Sequence, residues 1–376
     1  MSYQLETAEH PANLRRVAID TVSRVEGHGK VTILLDEHNQ VRQVRLHIVE
    51  VRGFERFIQG RPYWEVPVMV QRLCGICPVS HHLAASKALD QVVGATRLTP
   101  SAEKIRRLMH YGQILQSHAL HFFYLCSPDL LFGFDSELSR RNIVGVAAAH
   151  PETARRGVLL RKFGQELIRV TAGKRVHGTG AIPGGVNKAV TADERKVLLQ
   201  DIYQMIGWSR DAVQLIKDLH AQNPALYNSF GICRSNTMSL VGFDGGLDFY
   251  HGSLRARDGN GGILFDGVDY CDYPQYIQEE VKPWSYMKFP FLTALGKENG
   301  WYKVGPLARV QNCDHIRTPL AEAERREFVD YCGGVPMHAP LAYHWTRMIE
   351  MLHAAETIKD LLHDDDILGD DLVRTG

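Results

Sequence analysis

"RLCGICPVSHH", Arg72 to His82, decides how the rest of the chain is read. Two cysteines stand two residues apart, Pro78 follows the second, and two histidines come just after. Proline suits the first position of a helix, where its missing N–H is no loss. Cys74 and Cys77 therefore lie just before or at a helix N-terminus. Unpaired N–H groups and the positive end of the helix dipole stabilise thiolates there, and thiolates bind soft or borderline metals. Three uses of the pair compete. A zinc site needs four ligands, and Cys126, Cys233, Cys271, Cys313 and Cys332 are scattered singletons. A redox pair wants a βαβ context, which the flanks do not supply. The third use is bland: two buried, inert thiols.

On either side of this stretch the period changes. Downstream, "VSHHLAASKALDQVVG" reads as a helix stopped by Gly94. "SAEKIRRLMHYGQILQSHALHFFYLCS" reads as a long helix capped by Ser101. "ADERKVLLQDIYQMIGWSRDAVQLIKDLHAQ" and "PLAYHWTRMIEMLHAAETIKDLLHD" add two more amphipathic segments. Upstream, "KVTILLD" and "QVRQVRLHIVEV" are rich in β-branched residues, partly alternate, and flank the turn "DEHNQ", which predicts a hairpin or small sheet. Between 238 and 309 the chain alternates again, with turn signals at Asp244-Gly245 and Asp258-Gly259. The expected fold is α+β and predominantly helical, one large domain over 1–376 with an N-terminal small sheet and a β-rich insertion at 238–309. The acidic run Asp364 to Asp366 reads as a solvated end.

The composition narrows the function. Of 376 residues, 44% are hydrophobic and 23% charged, enough to fill a core. Lys+Arg and Asp+Glu are both 43, so the basic excess that marks nucleic-acid binding is missing. No apolar run has the length of a membrane span. "MSYQLETAEHPANLRR" holds no apolar signal core. Seven cysteines in so long a chain suit a reducing cytoplasm rather than a disulfide framework. The expected location is cytoplasmic.

Five ordered elements carry a resemblance. Arg72-x-Cys74-Gly75-Ile76-Cys77-x-x-x-His81 resembles the first cysteine signature of the nickel–iron hydrogenase large subunit. Arg24-Val25-Glu26-Gly27-His28 is similar to that family's N-terminal R-[IV]-E-G-H element, and Arg52-Gly53-Phe54-Glu55 to its R-G-x-E element. His118-x-x-His121-Phe122-Phe123, leading to Asp129, resembles its HxxHFY…D helix. His177 with Pro183-Gly184-Gly185-Val186 resembles its H-P…P-G-G segment, with Gly178 where many members have proline. The wording is nearest to the large subunits of cytoplasmic NAD-reducing, bidirectional hydrogenases.

The resemblance implies reversible H2 oxidation. It implies a nickel ion bound by four thiolates, two of them shared with an iron that carries CO and cyanide. Cys74 would then be a terminal nickel ligand and Cys77 a bridging one, chemistry that suits soft sulfur. Glu26 matches the carboxylate that passes protons from the cluster, a task for a nearby base. Glu55 matches a ligand of a magnesium ion, hard oxygen for a hard cation. Asp129 matches a carboxylate above the metals, paired there with an arginine. His81, four residues past Cys77, would share its helix face and support a thiolate. His118 and His121 read as packing and hydrogen-bonding residues rather than ligands. The implied partners are a small subunit with an iron–sulfur cluster, diaphorase subunits binding flavin and NAD, and maturation factors. The chain has no G-x-G-x-x-G after a strand, so NAD binding is expected on a partner.

The sequence departs from the family in one respect. The element D-P-C-x-x-C-x-x-H, which supplies the other two nickel ligands, does not occur in these 376 residues, nor does the A-P-R-G segment. The expectation is that the sequence is a fragment of a longer large subunit. The alternatives are an inactive truncated product, a metal-free structural and quinone-docking subunit related to respiratory complex I, and a binding module with a zinc-holding CxxC.

Overall fold

The polypeptide is described here by a computed structural model covering residues 13–23, 25–50 and 53–374. Arg24 and Arg52, which open two of the five elements, and the N-terminal leader through 12 lie outside the described residues. The chain divides into two compact units, one of residues 1–59 and 269–302, the other of residues 60–268 and 303–376.

The larger unit is helical, as its 3.6-residue periods require. Pro78–Val92 begins at Pro78 with Cys77 as N-cap. Pro100–Leu120 follows, capped by Thr99, whose side chain accepts a hydrogen bond from the Ala102 N–H, with Pro100 in the first helical position. The cap is thus Thr99 and not Ser101, because Pro100 already fixes the first turn. Ala192–Gln222 carries a full capping box between Thr191 and Glu194. Pro151–Ala172 and Ala342–His363 complete the long helices. Pro100–Leu120 and Pro151–Ala172 approach closely through glycines. A Cβ on Gly164 would lie 2.6 Å from the Gly112 carbonyl, and one on Gly112 would lie 2.8 Å from Leu167 Cβ. Leu108, Leu115, Leu160, Leu167, Met348, Ile349 and Leu352 are almost wholly buried in this core.

Within the same unit, Asn236–Val241, Ser253–Arg257 and Ile263–Val268 form an antiparallel ladder with Met238 opposite Ala256 and Ala256 opposite Phe265. The region 238–309 therefore contributes strands here, while its part from Asp269 to Tyr302 groups with the N-terminal residues. The acidic run is solvent-exposed, as expected, and also ion-paired: Lys104 Nζ reaches Asp364 at 2.6 Å and Asp366 at 2.5 Å, and Arg195 reaches Asp365 at 2.9 Å.

The smaller unit holds the three-stranded antiparallel sheet Arg15–Ile19, Gly29–Leu35 and Val41–Ile48. Its register aligns Val17 with Ile33 and Val44, and Ile19 with Val31 and Leu46. On the opposite face Arg45 and His47 are buried. His47 Nδ1 donates to the Trp284 carbonyl at 2.8 Å, its Nε2 accepts from Thr32 Oγ1 at 2.9 Å, and the Arg45 guanidinium lies 4.6 Å from the Trp284 ring. A hairpin, Ile277–Val281 with Lys288–Leu292, completes the unit.

Candidate functional site

The Cys74–Cys77 loop is built by polar bracing. The backbone N–H groups of Ile76 and Cys77 both point at Cys74 Sγ, at 3.3 and 3.4 Å. Such a pair of donors stabilises a thiolate. Gln113 and Gln116, one turn apart on Pro100–Leu120, both donate to the Ile76 carbonyl, at 3.1 and 2.6 Å. His177, held at φ 54°, brings Nε2 to 3.2 Å from the Cys74 carbonyl. Three side chains from two distant segments therefore fix a loop of four residues. None of the seven cysteines is in a disulfide.

Behind the loop, a buried ion pair locks the Pro78–Val92 helix to the P-G-G segment. Arg106 grips Asp90 through two nitrogens, at 2.6 and 3.1 Å, and donates to the carbonyls of Gly185 and Ile182. Gly184 N–H donates to Asp90 at 2.8 Å, its φ of +84° being one that glycine tolerates. His82 Nδ1 donates to the Pro67 carbonyl at 2.9 Å and its Nε2 accepts from the Ala181 N–H at 3.1 Å. That is a satisfied core histidine. Its neighbour His81 is half-buried, and burial lowers its pKa.

Cys77 opens on a cavity of about 450 Å³. The walls include Ser80, His110, Gln113, His118 and Arg309. Burial lowers His110 and His118 to about 4, so both are neutral near pH 7. His118 Nε2 donates to Glu350 at 2.9 Å, and its Nδ1 accepts from Arg347 at 3.1 Å. Burial alone would raise Glu350, but the Arg309 charge and hydrogen bonds outweigh it and hold the carboxylate below its ordinary range. Arg309 grips it through two nitrogens at 2.7 and 2.8 Å. His118 is thus a fixed part of a buried ion network, which matches its reading as a hydrogen-bonding residue.

The structure places the other expected residues separately. Asp129 lies in the first turn of Ser127–Phe132, with Arg141 Nε 3.2 Å from its carboxylate, within ion-pair range. Glu26 and Glu55 belong to the smaller unit. Glu26 is exposed, beside Gly27 at φ 77°, where a Cβ would meet the Glu50 carboxylate at 2.7 Å. Glu55 is exposed in the first turn of the short helix Phe54–Phe57. So Cys74, Cys77 and His81 share one loop and helix, Asp129 sits on another helix, and the two glutamates belong to the other unit. The sequence reading passed over Gln113 and Gln116, although their 113/116 spacing on a helix marks one face. It passed over Arg309 and Glu350, which nothing short of tertiary structure joins.

The residues fit the thiolate half of a nickel–iron centre. Two thiols three positions apart sit on one braced loop, two backbone N–H groups point at the Cys74 sulfur, and a cavity of mixed polar and apolar lining opens beside Cys77.

Comparison with known proteins gives the same direction. A family model described as nickel-dependent hydrogenase matches residues 52–132, and a HoxL-like model matches 16–51. The chain is 45% identical over 372 residues to the NAD-reducing hydrogenase HoxS subunit beta of Cupriavidus necator, covering 96% of this chain and 76% of that one. It is 44% identical to a chain of the vhu F420-non-reducing hydrogenase of Methanocaldococcus jannaschii, covering 95% and 84%. A crystal structure of an NAD+-reducing NiFe hydrogenase in the H2-reduced state superposes with a TM-score of 0.93 at 57% identity, over 96% of this chain and 80% of that one. A NiFeSe hydrogenase of Dm. baculatum, 20% identical with a TM-score of 0.74, shares the fold.

Proposed function

Because this chain belongs to the nickel-dependent hydrogenase family as a large subunit, an oxidoreductase that acts within a complex, we propose that it oxidises H2 reversibly in an NAD-reducing enzyme and holds its metals through Cys74 and Cys77. The observation that carries this is the braced Cys74–Cys77 loop opening on the cavity. A nickel–iron centre with CO and cyanide on the iron, once bound, supplies the polarisation that splits H2 heterolytically. The chain's own residues do the rest. Cys74 and Cys77 would hold the centre as thiolates. Gln113, Gln116 and His177 hold both sulfurs in place, so little reorganisation accompanies the chemistry.

The proton is assigned to the Cys77 sulfur, and Glu26, an exposed carboxylate, is the residue whose family counterpart carries protons outward. Asp129, ion-paired with Arg141, is assigned the family's carboxylate near the metals, His81 would support the thiolates from the helix, and Glu55 would offer oxygen to magnesium. Electrons leave to a small subunit with an iron–sulfur cluster, then through a flavin-containing diaphorase to NAD, in the cytoplasm. No helix among the described residues is long and apolar enough to cross a membrane.

An apolar face supports the reading of a heteromeric complex. Val17, Ile19, Val44 and Leu46 form one exposed side of the N-terminal sheet. Contiguous apolar faces of this kind mark protein–protein contact.

The test is metal content. The complex, produced together with its maturation factors, is expected to carry nickel near one per large subunit, and Cys77→Ser to lose it together with H2-dependent NAD reduction. A wild-type complex that contains no nickel yet is folded and assembled supports the quinone-docking scaffold and overturns the hydrogenase reading.

A further inference from the structure

A second cluster of metal-binding side chains shares no residue with the Cys74–Cys77 loop. One ligand atom each from His121, Cys126 and His344 lies within 4.8 Å of the others. Cys126 Sγ is 3.5 Å from His121 Nδ1 and 3.8 Å from its Nε2. The rings of His121 and His344 are 5.8 Å apart between centroids. All three residues are half-buried, and His344 Nδ1 is a buried nitrogen with no hydrogen-bond partner.

The backbone explains how the cluster forms. The chain from His121 to Cys126 is a π-helix inserted between Pro100–Leu120 and Ser127–Phe132. In an α-helix, residues five apart point about 140° away from each other. The wider π turn bonds i to i+5 and swings such a pair toward one side, a distortion that recurs at functional sites. The widened segment is held by Phe123, which packs so closely on Gly157 that a Cβ there would collide with it. His344 arrives from the first turn of Ala342–His363.

We propose that His121, Cys126 and His344 form an N2S site for a single zinc-type divalent transition-metal ion, with ligands distinct from Cys74 and Cys77. The donor chemistry fits. Two imidazoles and a thiolate are borderline-to-soft ligands, and zinc takes three protein ligands plus water or a fourth donor. Tetrahedral bonds of the usual zinc lengths put sulfur and nitrogen about 3.5 Å apart, the separation already present between Cys126 and His121. Arg347 has two opposed effects. Its charge interacts with Cys126 and would attract an anionic sulfur, while it repels an incoming cation. With sulfur anionic, the ion is partly neutralised before Arg347 acts on it.

The experiment uses the full chain in a Cys74→Ser/Cys77→Ser background, so that the first thiol pair cannot contribute. The protein is dialysed against Zn(II), and against Co(II) as a spectroscopic probe. One ion per chain is expected, with a thiolate-to-cobalt charge-transfer band. Cys126→Ser should abolish that band, and His344→Gln should weaken binding at least tenfold while the far-UV circular dichroism is unchanged. If Cys126→Ser fails to fold, the His344→Gln affinity alone decides. No stoichiometric ion in the double-serine background, or one whose affinity is the same in His344→Gln, overturns the proposal. The nickel content of the assembled enzyme does not enter either outcome.

Discussion

The two units treat their apolar residues in opposite ways. In the larger unit, helices bury leucine, isoleucine and methionine, and its interior polar side chains are held in pairs such as Asp90–Arg106 and Arg309–Glu350. In the N-terminal sheet the polar residues Arg45 and His47 are buried against Trp284, and Val17, Ile19, Val44 and Leu46 face outward. A chain that must fold alone hides its apolar side. The sheet instead satisfies its polar side internally and leaves the apolar side for something else to cover. The larger unit is therefore a preorganised scaffold for the thiol loop, and the sheet carries an exposed apolar face, the one proposed above for contact within a complex.

The sharpest way to break this comparison is to damage the scaffold. Arg106→Met removes the guanidinium that grips Asp90 and leaves a buried carboxylate facing the Gly184 N–H. Loss of one partner of a buried pair costs roughly 3–5 kcal/mol. Urea unfolding is expected to show that loss, with metal incorporation falling as the helix Pro78–Val92 loosens from the P-G-G segment. A variant as stable as wild type would show that the pair is not what joins them.

The sheet predicts the reverse. Val44→Glu with Leu46→Glu changes exposed side chains, so the folding free energy of the isolated chain should move by no more than about 0.5 kcal/mol per site. Assembly should suffer, because two carboxylates would be buried without partners in the contact. Co-purification with the partner subunits is expected to fall at least tenfold. Equal loss of folding and assembly would mean that the face is already covered within the chain.

The two regions also differ in how far they were readable. Pro78 after Cys77 announced both the helix start and the thiol placement, because proline's fixed φ and missing N–H are local facts. The P-G-G segment was noticed only by its resemblance to the family, and the reason for glycine there, a φ of +84° at Gly184, emerged with the structure. The alternation in "QVRQVRLHIVEV" announced a strand with two unlike faces. It could not say which face this chain covers, since that depends on Trp284, about 240 positions later. The long helices followed from their period, but the cap at Thr99 did not, because Pro100 made the serine after it redundant. His344 is the clearest case of what spacing cannot show. It lies more than 200 residues from His121 and Cys126, and the π turn that pairs those two looks in sequence like any stretch of aromatic helix. Glu350, Arg309 and His118 likewise meet only in space.

The smallest effect separates the units by pH. His110, His118 and His353 are all in the larger unit, and burial lowers each from 6.5 to about 4. Above 6.5 they are neutral folded or unfolded, so they add no pH dependence. As pH falls from 6.5 toward 4, the unfolded chain takes up protons that the folded chain refuses, and stability drops. Each such histidine contributes a slope of up to about 1.4 kcal/mol per pH unit in that window. His110 is the cleanest probe, because its Nε2 donates to the Phe249 carbonyl at 3.1 Å while its Nδ1 has no partner. Glutamine there keeps a donor for Phe249 and cannot titrate. Urea midpoints measured across the window should therefore fall less steeply in His110→Gln than in wild type, with no difference above 6.5. Hydrogen exchange should place the acid-sensitive opening in the helical unit and leave the sheet at its neutral-pH protection. If acid loosens the sheet first, or if the slope survives His110→Gln unchanged, the buried imidazoles are not what makes the scaffold the acid-sensitive half.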